Sequence, residues 1–426
     1  MSSFILRGNI IYSRDVSTLD ITVGGFAVCE GGVCRGVFAE IPEKYAFLPV
    51  IDCRDKLIIP GMVDLHIHGA QYAYRGMGMD LELLDWLDTY AFPEEAKFAD
   101  EEYAKKAYGI FANAMKKSAT TRACVFASAH SRATEILMEA LEETALISFV
   151  GKVNMDRDAP DNLREKSADL AAKDTEKWAC ETLERFERTK PMITPRFVPS
   201  CTDELMKKLG EIRKKYDLSV QSHISESVGE ISLVKELRPE DKFYGEAYDK
   251  CGLFGDGEKS HTVMAHCVWS SEEELSLMQK NGVFIAHCPA SNMNVASGIA
   301  PVRKYIERGM KMGLGSDVAG GQTESMFRAI TDAVQSSKLY FRHVDNSVEP
   351  LGLEEAFYLA TRGGGEFFGK VGAFEDGFEF DAVVIDDSSL IHPQPLNVRQ
   401  RIERAVYLGA DMFGIVGKFV RGERVI

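Results

Sequence analysis

The sequence predicts an α/β protein, in which a (β/α)8 TIM-like barrel is joined to a small β-sandwich that the N- and C-terminal segments build together. In the middle of the chain, apolar strand-like runs alternate with long charged helical segments, a pattern typical of parallel strands joined by crossover helices. At both ends of the chain, short β-rich runs replace this alternation.

The two ends of the chain show the same pattern of short β-rich runs. The N-terminal part contains the runs NIIYS, GFAVCE and GVCRGVFAEI, separated by glycine or charged turns, and the C-terminal part contains EFDAVVID and FVRGERVI. We therefore assign residues 1–58 and 373–426 to one discontinuous β-sandwich domain, and residues 59–372 to the barrel.

The central segment contains apolar runs that predict the barrel strands. In chain order these are MVDLHIH, RACVFAS, ISFVGKVNM, MITPRFV, LSVQSHI, TVMAHCV, GVFIAHC and KMGLGSD. Strands that alternate with helices pair in parallel. Eight such strands match a closed (β/α)8 barrel better than an open doubly wound sheet.

Composition restricts the partners of this protein. The 426 residues, 45% of them hydrophobic, can bury a large core. A net charge of −15 disfavours binding to nucleic acids and to acidic membrane surfaces. No run approaches the roughly 20 apolar residues of a membrane span, and the nine cysteines include no C-x-x-C pair, which favours reduced thiols. We expect a cytoplasmic protein with a small-molecule substrate, no nucleic-acid partner and no membrane partner.

His66 and His68 stand at the end of the first barrel strand, in PGMVDLHIHG. Side chains two residues apart on a strand project from the same face, so the pair forms half of a metal site if that face lines the barrel. By itself, the pair is equally consistent with histidines on a surface strand or with a hydrogen-bonded residue of a barrel layer.

Other strands also end in polar residues, namely His223 in LSVQSHISE, His266 in TVMAHC, His287 in GVFIAHC and Asp317 in KMGLGSD. Barrel enzymes place their active sites at the carboxyl ends of the strands, so a shared site is favoured over coincidence. Imidazole nitrogens and carboxylate oxygens suit zinc or ferrous iron. A metal could be held by His66, His68, His223 and Asp317, which leaves His266 free to assist the attacking water.

Glu226 follows His223 by three residues, in HISE, where the strand has ended. Its carboxylate could turn back over the metal and transfer protons, as hydrolytic deamination requires. The alternative is a carboxylate that interacts with free N–H groups at the start of a helix.

The segments PGMVDLHIHG, HISE, MAHC, IAHCPASN and GLGSDVAGG, in this order, resemble the amidohydrolase superfamily. Within it, HGAQYAYRGMGMDLELLDWLDTYAFPEEAKF, GKVNMD, TPRFVPSCT and QSHISES are most similar to the members that act on guanine, and the resemblance covers nearly the whole chain. It implies a homodimer that hydrolyses guanine to xanthine and ammonia with one zinc ion, or with iron as the alternative metal.

The resemblance also implies residue roles. The metal ligands would be His66, His68, His223 and Asp317, the catalytic residues would be Glu226, His266 and Asp317, and the substrate-binding residues would be Gln71, Arg196, Phe197, His223 and His266. Members with two metals carry a carboxylated lysine late on the fourth strand. Here that strand ends in TPRF, with Lys190 only before its start, so we expect one metal. His287 matches a position that binds no metal in single-metal members, and we assign it a structural role.

The substrate contacts agree with the chemistry of guanine, because the O6 and N7 acceptors of guanine match the donor fork of an arginine such as Arg196. Phe197 can reach the same ligand only if the strand ends or bulges there, since adjacent strand residues point to opposite faces. Gln71 could instead bond to the local backbone. The helical spacing around Trp86 favours core packing over ligand contact.

Two other functions stay open. A related hydrolase could deaminate another heterocycle, such as 8-oxoguanine, a pterin or a triazine, since the metal ligands are shared and only the pocket differs. An inactive barrel could serve as a scaffold, although such proteins usually lose the ligands that this sequence retains. The cytidine-type deaminase signature, H-x-E with a later P-C-x-x-C, is absent from the sequence.

Overall fold

The computed structural model describes residues 2–255, 261–409 and 413–426. In chain order the strands are β1 (Phe4–Asp15), β2 (Thr18–Glu30), β3 (Val33–Phe38), β4 (Val50–Pro60), β5 (Met62–His68), β6 (Thr120–Phe126), β7 (Ile147–Gly151), β8 (Val153–Asn154), β9 (Thr189–Pro191), β10 (Thr194–Pro195), β11 (Val220–Ile224), β12 (Thr262–His266), β13 (Phe284–His287), β14 (Met312–Leu314), β15 (Ala382–Asp386), β16 (Gly414–Val420) and β17 (Glu423–Arg424).

The helices lie mainly between the barrel strands, as the alternating sequence pattern predicts. They are α1 (Leu83–Trp86), α2 (Phe92–Ala96), α3 (Glu101–Lys117), α4 (Ser131–Glu142), α5 (Ala168–Leu183), α6 (Asp203–Tyr216), α7 (Val228–Leu237), α8 (Glu246–Lys250), α9 (Glu272–Lys280), α10 (Pro289–Asn294), α11 (Val302–Glu307), α12 (Met326–His343), α13 (Leu353–Tyr358) and α14 (Val398–Leu408). Within the described ranges, no helix is long and apolar enough to cross a membrane.

Strands from both ends of the chain form one seven-stranded sheet, in the order β17-β16-β15-β4-β1-β2-β3. The link between the two ends is β4, which pairs in parallel with β1 and antiparallel with β15. The chain then passes through Gly61 directly from β4 into β5, so the sheet ends where the barrel begins. The joint sheet agrees with the expected association of the two ends, whereas the two-layered sandwich and the domain limits stay predictions.

The barrel consists of two parallel runs, β5-β6-β7-β9 and β11-β12-β13-β14. Backbone hydrogen bonds join these runs into a ring. Gln221 N donates to Ile193 O (3.0 Å) on one side, and Asp317 N donates to His66 O (2.8 Å) on the other. Seven of the eight strands in the two runs overlap the apolar runs identified in the sequence. The exception is β9, which precedes MITPRFV and contains Lys190, so the expectation that Lys190 lies before the start of the fourth strand was wrong. The predicted α/β barrel is confirmed.

Apolar side chains fill the barrel below its carboxyl end. A buried cluster includes Val63, Leu65, Phe284, Ala286 and Cys288, whereas polar residues follow at the ends of the same strands. Because this packing excludes water from the floor of the barrel, charged groups above it can be solvated from one side only.

Two buried basic side chains fasten the terminal sheet to the barrel. Arg122 on β6 donates from Nε to Asp381 Oδ2 (2.7 Å). Lys418 on β16 donates from Nζ to carbonyl oxygens at the end of α3, among them Met115 O (2.9 Å) and Ser118 O (3.0 Å). The contacts of Lys418 provide a donor for carbonyl oxygens at the end of α3, which have no partner inside the helix.

Replacing Lys418 by methionine is expected to lower the free energy of unfolding by about 1–3 kcal/mol, because buried carbonyls lose their donor. Burial lowers the pKa of Lys418 from 10.5 to about 7, so between these values the unfolded chain binds more protons than the folded protein. The free energy of unfolding of the wild type should therefore increase as the pH rises across this range. That of the variant should not show this increase.

Urea unfolding at several pH values measures both effects of the Lys418 substitution. Lys117→Met, on the exposed side of α3, is the matched control and should change stability by less than about 0.5 kcal/mol. Equal stability and equal pH dependence of wild type and Lys418→Met would disprove the role of Lys418 in fastening the terminal sheet to the barrel.

Candidate active site

The expected metal ligands meet at the carboxyl end of the barrel. His68 Nε2 lies 3.2 Å from His66 Nε2 and 3.2 Å from His223 Nε2. Asp317 Oδ1 lies 3.1 Å from His66 Nε2 and 3.5 Å from His68 Nε2. All four side chains are buried. Residues from β5, from β11 and from the segment after β14 therefore place three nitrogens and one carboxylate around a common centre.

Hydrogen bonds behind the rings determine which atoms face this centre. His223 Nδ1 lies 2.6 Å from the carbonyl oxygen of Arg196, an acceptor, so Nδ1 carries the proton and the Nε2 lone pair faces the cluster. Burial lowers the pKa of His223 and of His68 well below the ordinary value. Neutral imidazoles that direct lone pairs at one another fit a bound cation, because a cation accepts all of them at once.

The carboxylate of the cluster is charged. Burial alone would raise the pKa of Asp317, but the neighbouring His66, His266 and His68 outweigh it and hold this pKa well below the usual range. A donor set of three imidazoles and one carboxylate suits zinc or ferrous iron.

The strand ends turn sharply at the site. Ser225, His266 and Asp317 adopt left-handed backbone conformations, with φ of 48°, 74° and 48°, which cost non-glycine residues of the order of 1 kcal/mol or more. Ser225 directly follows β11, His266 ends β12, and Asp317 lies three residues after the end of β14. The turns carry the chain away from the barrel wall while keeping polar side chains over the barrel opening.

Glu226 and His266 form a second pair beside the cluster. His266 Nε2 lies 3.4 Å from Glu226 Oε2 and 3.7 Å from Asp317 Oδ2, and Ser297 Oγ donates to Glu226 Oε1 (3.0 Å). Burial raises the pKa of Glu226 to about 7. A carboxyl group with a pKa near neutrality can both accept and release a proton.

The helix-start alternative for Glu226 does not apply. The N-terminus of α7 is capped by Ser227 and Glu230, whose side chains and backbone form a reciprocal capping box. Glu230 Oε2 also accepts from the backbone N–H of Glu226 (2.8 Å). The Glu226 carboxylate is therefore left to face His266.

A cavity with an empty volume of about 440 Å³, which includes space open to solvent, lies over the cluster. Glu226 and His266 line it together with Gln71 and Arg196, and much of the remaining wall is apolar. The cavity therefore brings the two kinds of residue expected from the sequence, those for chemistry and those for ligand binding, into one space.

Phe197 and Arg196 both line this cavity, although they are adjacent in sequence. Strand β10 ends at Pro195, and a 3-10 turn begins at Val198, so the regular alternation of a strand no longer applies to the pair. Trp86 also lines the cavity, and its indole N–H donates to Met77 O (3.1 Å). Trp86 is buried in the main apolar cluster, so it packs in the core, as its helical spacing predicts, and also contributes to the cavity wall.

Two residues behind the cavity wall were not predicted from the sequence. Glu95 accepts from Arg196 Nη1 (2.6 Å) and from Gln71 Nε2 (2.8 Å), and the Phe92 ring lies 4.9 Å from the Arg196 guanidinium carbon. Gln71 Oε1 also accepts from Ala319 N (3.2 Å), a backbone group 248 residues away in sequence. This distant contact is not the local backbone bond weighed as the alternative for Gln71. The i, i+3 spacing of Phe92 and Glu95 was the available signal.

His287 lies outside the cluster. It is buried, neither of its ring nitrogens has a partner among the described residues, and burial lowers its pKa to about 3. Cys288, which the sequence analysis did not single out, is close to the centre, since potential ligand atoms of Cys288, His266 and Asp317 lie within 4.8 Å of one another.

Comparison with known proteins places these features in a family. The sequence pattern of the amidohydrolase family matches residues 57–425. The chain is 37% identical to a guanine deaminase of Dictyostelium discoideum, covering 88% of this chain and 84% of that protein. It is 39% identical to the guanine deaminase of Mus musculus, covering 87% and 83%. A crystal structure of guanine deaminase from C. acetobutylicum with bound guanine superposes with a TM-score of 0.96 at 45% identity, over 100% of both chains.

The purified protein is expected to contain about one metal ion per chain. His68→Ala should lose most of this metal, because the variant lacks the nitrogen that lies next to both other imidazoles. Elemental analysis of wild type and variant measures the content. His287→Gln is the control and should retain the metal, since His287 is not part of the cluster. A metal-free wild type, or unchanged content in His68→Ala, would contradict the assignment.

Proposed function

Because the chain belongs to the amidohydrolase family and to its guanine deaminase branch, we propose that it hydrolyses guanine to xanthine and ammonia at the carboxyl end of the barrel. The observation that supports this most directly is a single cavity that is lined both by Arg196 and Gln71 and by residues of the histidine and carboxylate cluster. One part of the cavity can bind a purine edge while the other part provides the chemistry.

The metal site uses His66, His68, His223 and Asp317. We propose one zinc ion, in keeping with the three nitrogens and one oxygen of the donor set. Zinc, when bound, supplies Lewis-acid activation of water. Around it, His266 and Asp317 orient the attacking water, and Asn292 Oδ1, 2.9 Å from His266 Nδ1, fixes the ring of His266.

Substrate binding relies on Arg196. Its free N–H groups donate to O6 and N7 of guanine, which turns C2 and its amino group toward the cluster. Phe197 supplies apolar contact with the purine ring. His223 and His266 lie beside the edge of the purine that reacts. Water is largely excluded, since these side chains are each less than one-tenth exposed.

Proton transfer belongs to Glu226. It takes a proton from the attacking water, delivers it to the ring nitrogen next to C2, and then transfers the second proton of the water to the leaving amine, so that guanine and water become xanthine and ammonia. Its pKa of about 7 makes both directions of transfer accessible near neutral pH.

The finer architecture is also a proposal. Residues 1–58 and 373–426 would form a β-sandwich beside the barrel domain of residues 59–372, supported by an apolar cluster that unites Phe4 with Phe380 and Phe419. We also propose a homodimer, which follows from the family resemblance. A cytoplasmic location is proposed from the composition, and the free cysteines agree with a reducing compartment.

Ammonia release tests the substrate directly. Among guanine, 8-oxoguanine, pterin and cytosine, guanine is expected to be turned over fastest, because its O6 and N7 edge matches Arg196 while C2 carries the amino group. Preferred turnover of another heterocycle would replace guanine as the substrate. No turnover of any of the four compounds, in protein without metal, would indicate an inactive scaffold.

Glu226→Gln is expected to retain the metal and to lower kcat by roughly a hundredfold or more, because an amide cannot transfer the proton. Metal content and steady-state rates are measured on the same preparation. Glu236→Gln, an identical change on the exposed face of α7, serves as the control and should leave kcat unaltered. Near-normal activity of Glu226→Gln would remove Glu226 from the mechanism.

A further inference from the structure

We propose that Glu95 is a positioning residue that makes the site selective for a neutral purine, because it fixes Arg196 and Gln71 and balances the charge of the guanidinium group. This inference rests on the proposed function and assigns a role to a residue that stands behind the substrate cavity. Gln71 and Arg196 line the cavity, whereas Glu95 is 1% exposed.

Both carboxylate oxygens of Glu95 are used. Oε2 accepts from Arg196 Nη1 (2.6 Å), and Oε1 accepts from Gln71 Nε2 (2.8 Å). The three residues come from α2, from the segment after β10 and from the 3-10 helix after β5. One buried carboxylate therefore determines the relative position of two side chains from separate parts of the chain.

These contacts also fix the polarity of the two partners. Gln71 Oε1 accepts from Ala319 N (3.2 Å) while Nε2 donates to Glu95, so the amide cannot flip without losing both hydrogen bonds. The guanidinium of Arg196 stacks on Phe92, with 4.9 Å between its carbon and the ring centroid. Phe92 and Glu95 lie on the same face of α2. Phe92 therefore contacts the face of the guanidinium group, and Glu95 accepts a hydrogen bond at the edge of that group.

Charge balance has a chemical consequence for the ligand. Arg196 is 3% exposed, and an unpaired buried cation is costly. Glu95 balances the charge of Arg196, so this part of the wall suits neutral guanine. Xanthine loses a proton more readily than guanine, because carbonyl groups flank its ring N–H groups. An unpaired guanidinium would favour the xanthine anion, so Glu95 should also assist product release.

Glu95→Gln tests this role, since the variant keeps the volume of the side chain and loses its charge. The KM for guanine should increase about tenfold, the effect of losing a hydrogen bond to a charged group, with a smaller change in kcat. Inhibition by xanthine should become stronger than in wild type when the pH is raised above the first ionisation of xanthine. A general structural defect would weaken both ligands instead.

Two further variants separate charge from geometry. Glu95→Asp keeps the charge but shortens the reach, so it should increase the KM without strengthening inhibition by xanthine. Glu94→Gln is the control, because Glu94 bonds to Lys97 and Tyr103 on the outer side of the helix, and it should match wild type.

The outcomes for the inference and for the proposed function are distinct. If wild type releases no ammonia from guanine, the proposed function fails, and this inference fails with it. If wild type is active and Glu95→Gln shows the wild-type KM and the wild-type response of xanthine inhibition to pH, the role of Glu95 alone is disproved.

Discussion

Closure of the barrel between its first and last strands determines the geometry of the site. Asp317 N donates to His66 O (2.8 Å), and His68 N donates to Val318 O (3.0 Å). Asp64 adds a side-chain link, since it accepts from Ser316 N (3.0 Å). These bonds hold the Asp317 carboxylate against the imidazoles of the first strand. Without this closure, the ligands from β5 and from the end of β14 would have no fixed separation.

The closed barrel also places charged groups where water cannot fully solvate them. An apolar cluster fills the floor of the barrel, so the charges above it are stabilised by one another. Asp317 lies among histidines, and Arg196 pairs with Glu95. The same low polarity raises the pKa of Glu226 to about 7. Burial thus favours both the lone pairs suited to a metal and a carboxyl group suited to proton transfer.

The proposed ligand-binding part of the site is built from a different kind of structure. Its residues lie on short segments that follow the strands, namely the 3-10 helix Gly69–Tyr74, α1, α2 and the turn after β10. Such segments lack the periodicity of a strand or a long helix, so a pattern in the sequence does not show where their side chains point. Phe92 and Glu95 were missed for this reason.

The sequence alone determined the α/β barrel, the grouping of its two ends and the residues that cluster at the strand ends. It could do so because strand and helix periodicities are local, and because parallel strands bring their carboxyl ends to the same level. Only the tertiary structure decided that Glu95 joins Gln71 to Arg196, that Phe197 shares a cavity with its neighbour, and that Cys288 lies near the centre. These contacts join atoms that are distant in the chain, and their distances depend on how the closed barrel packs the segments around its opening.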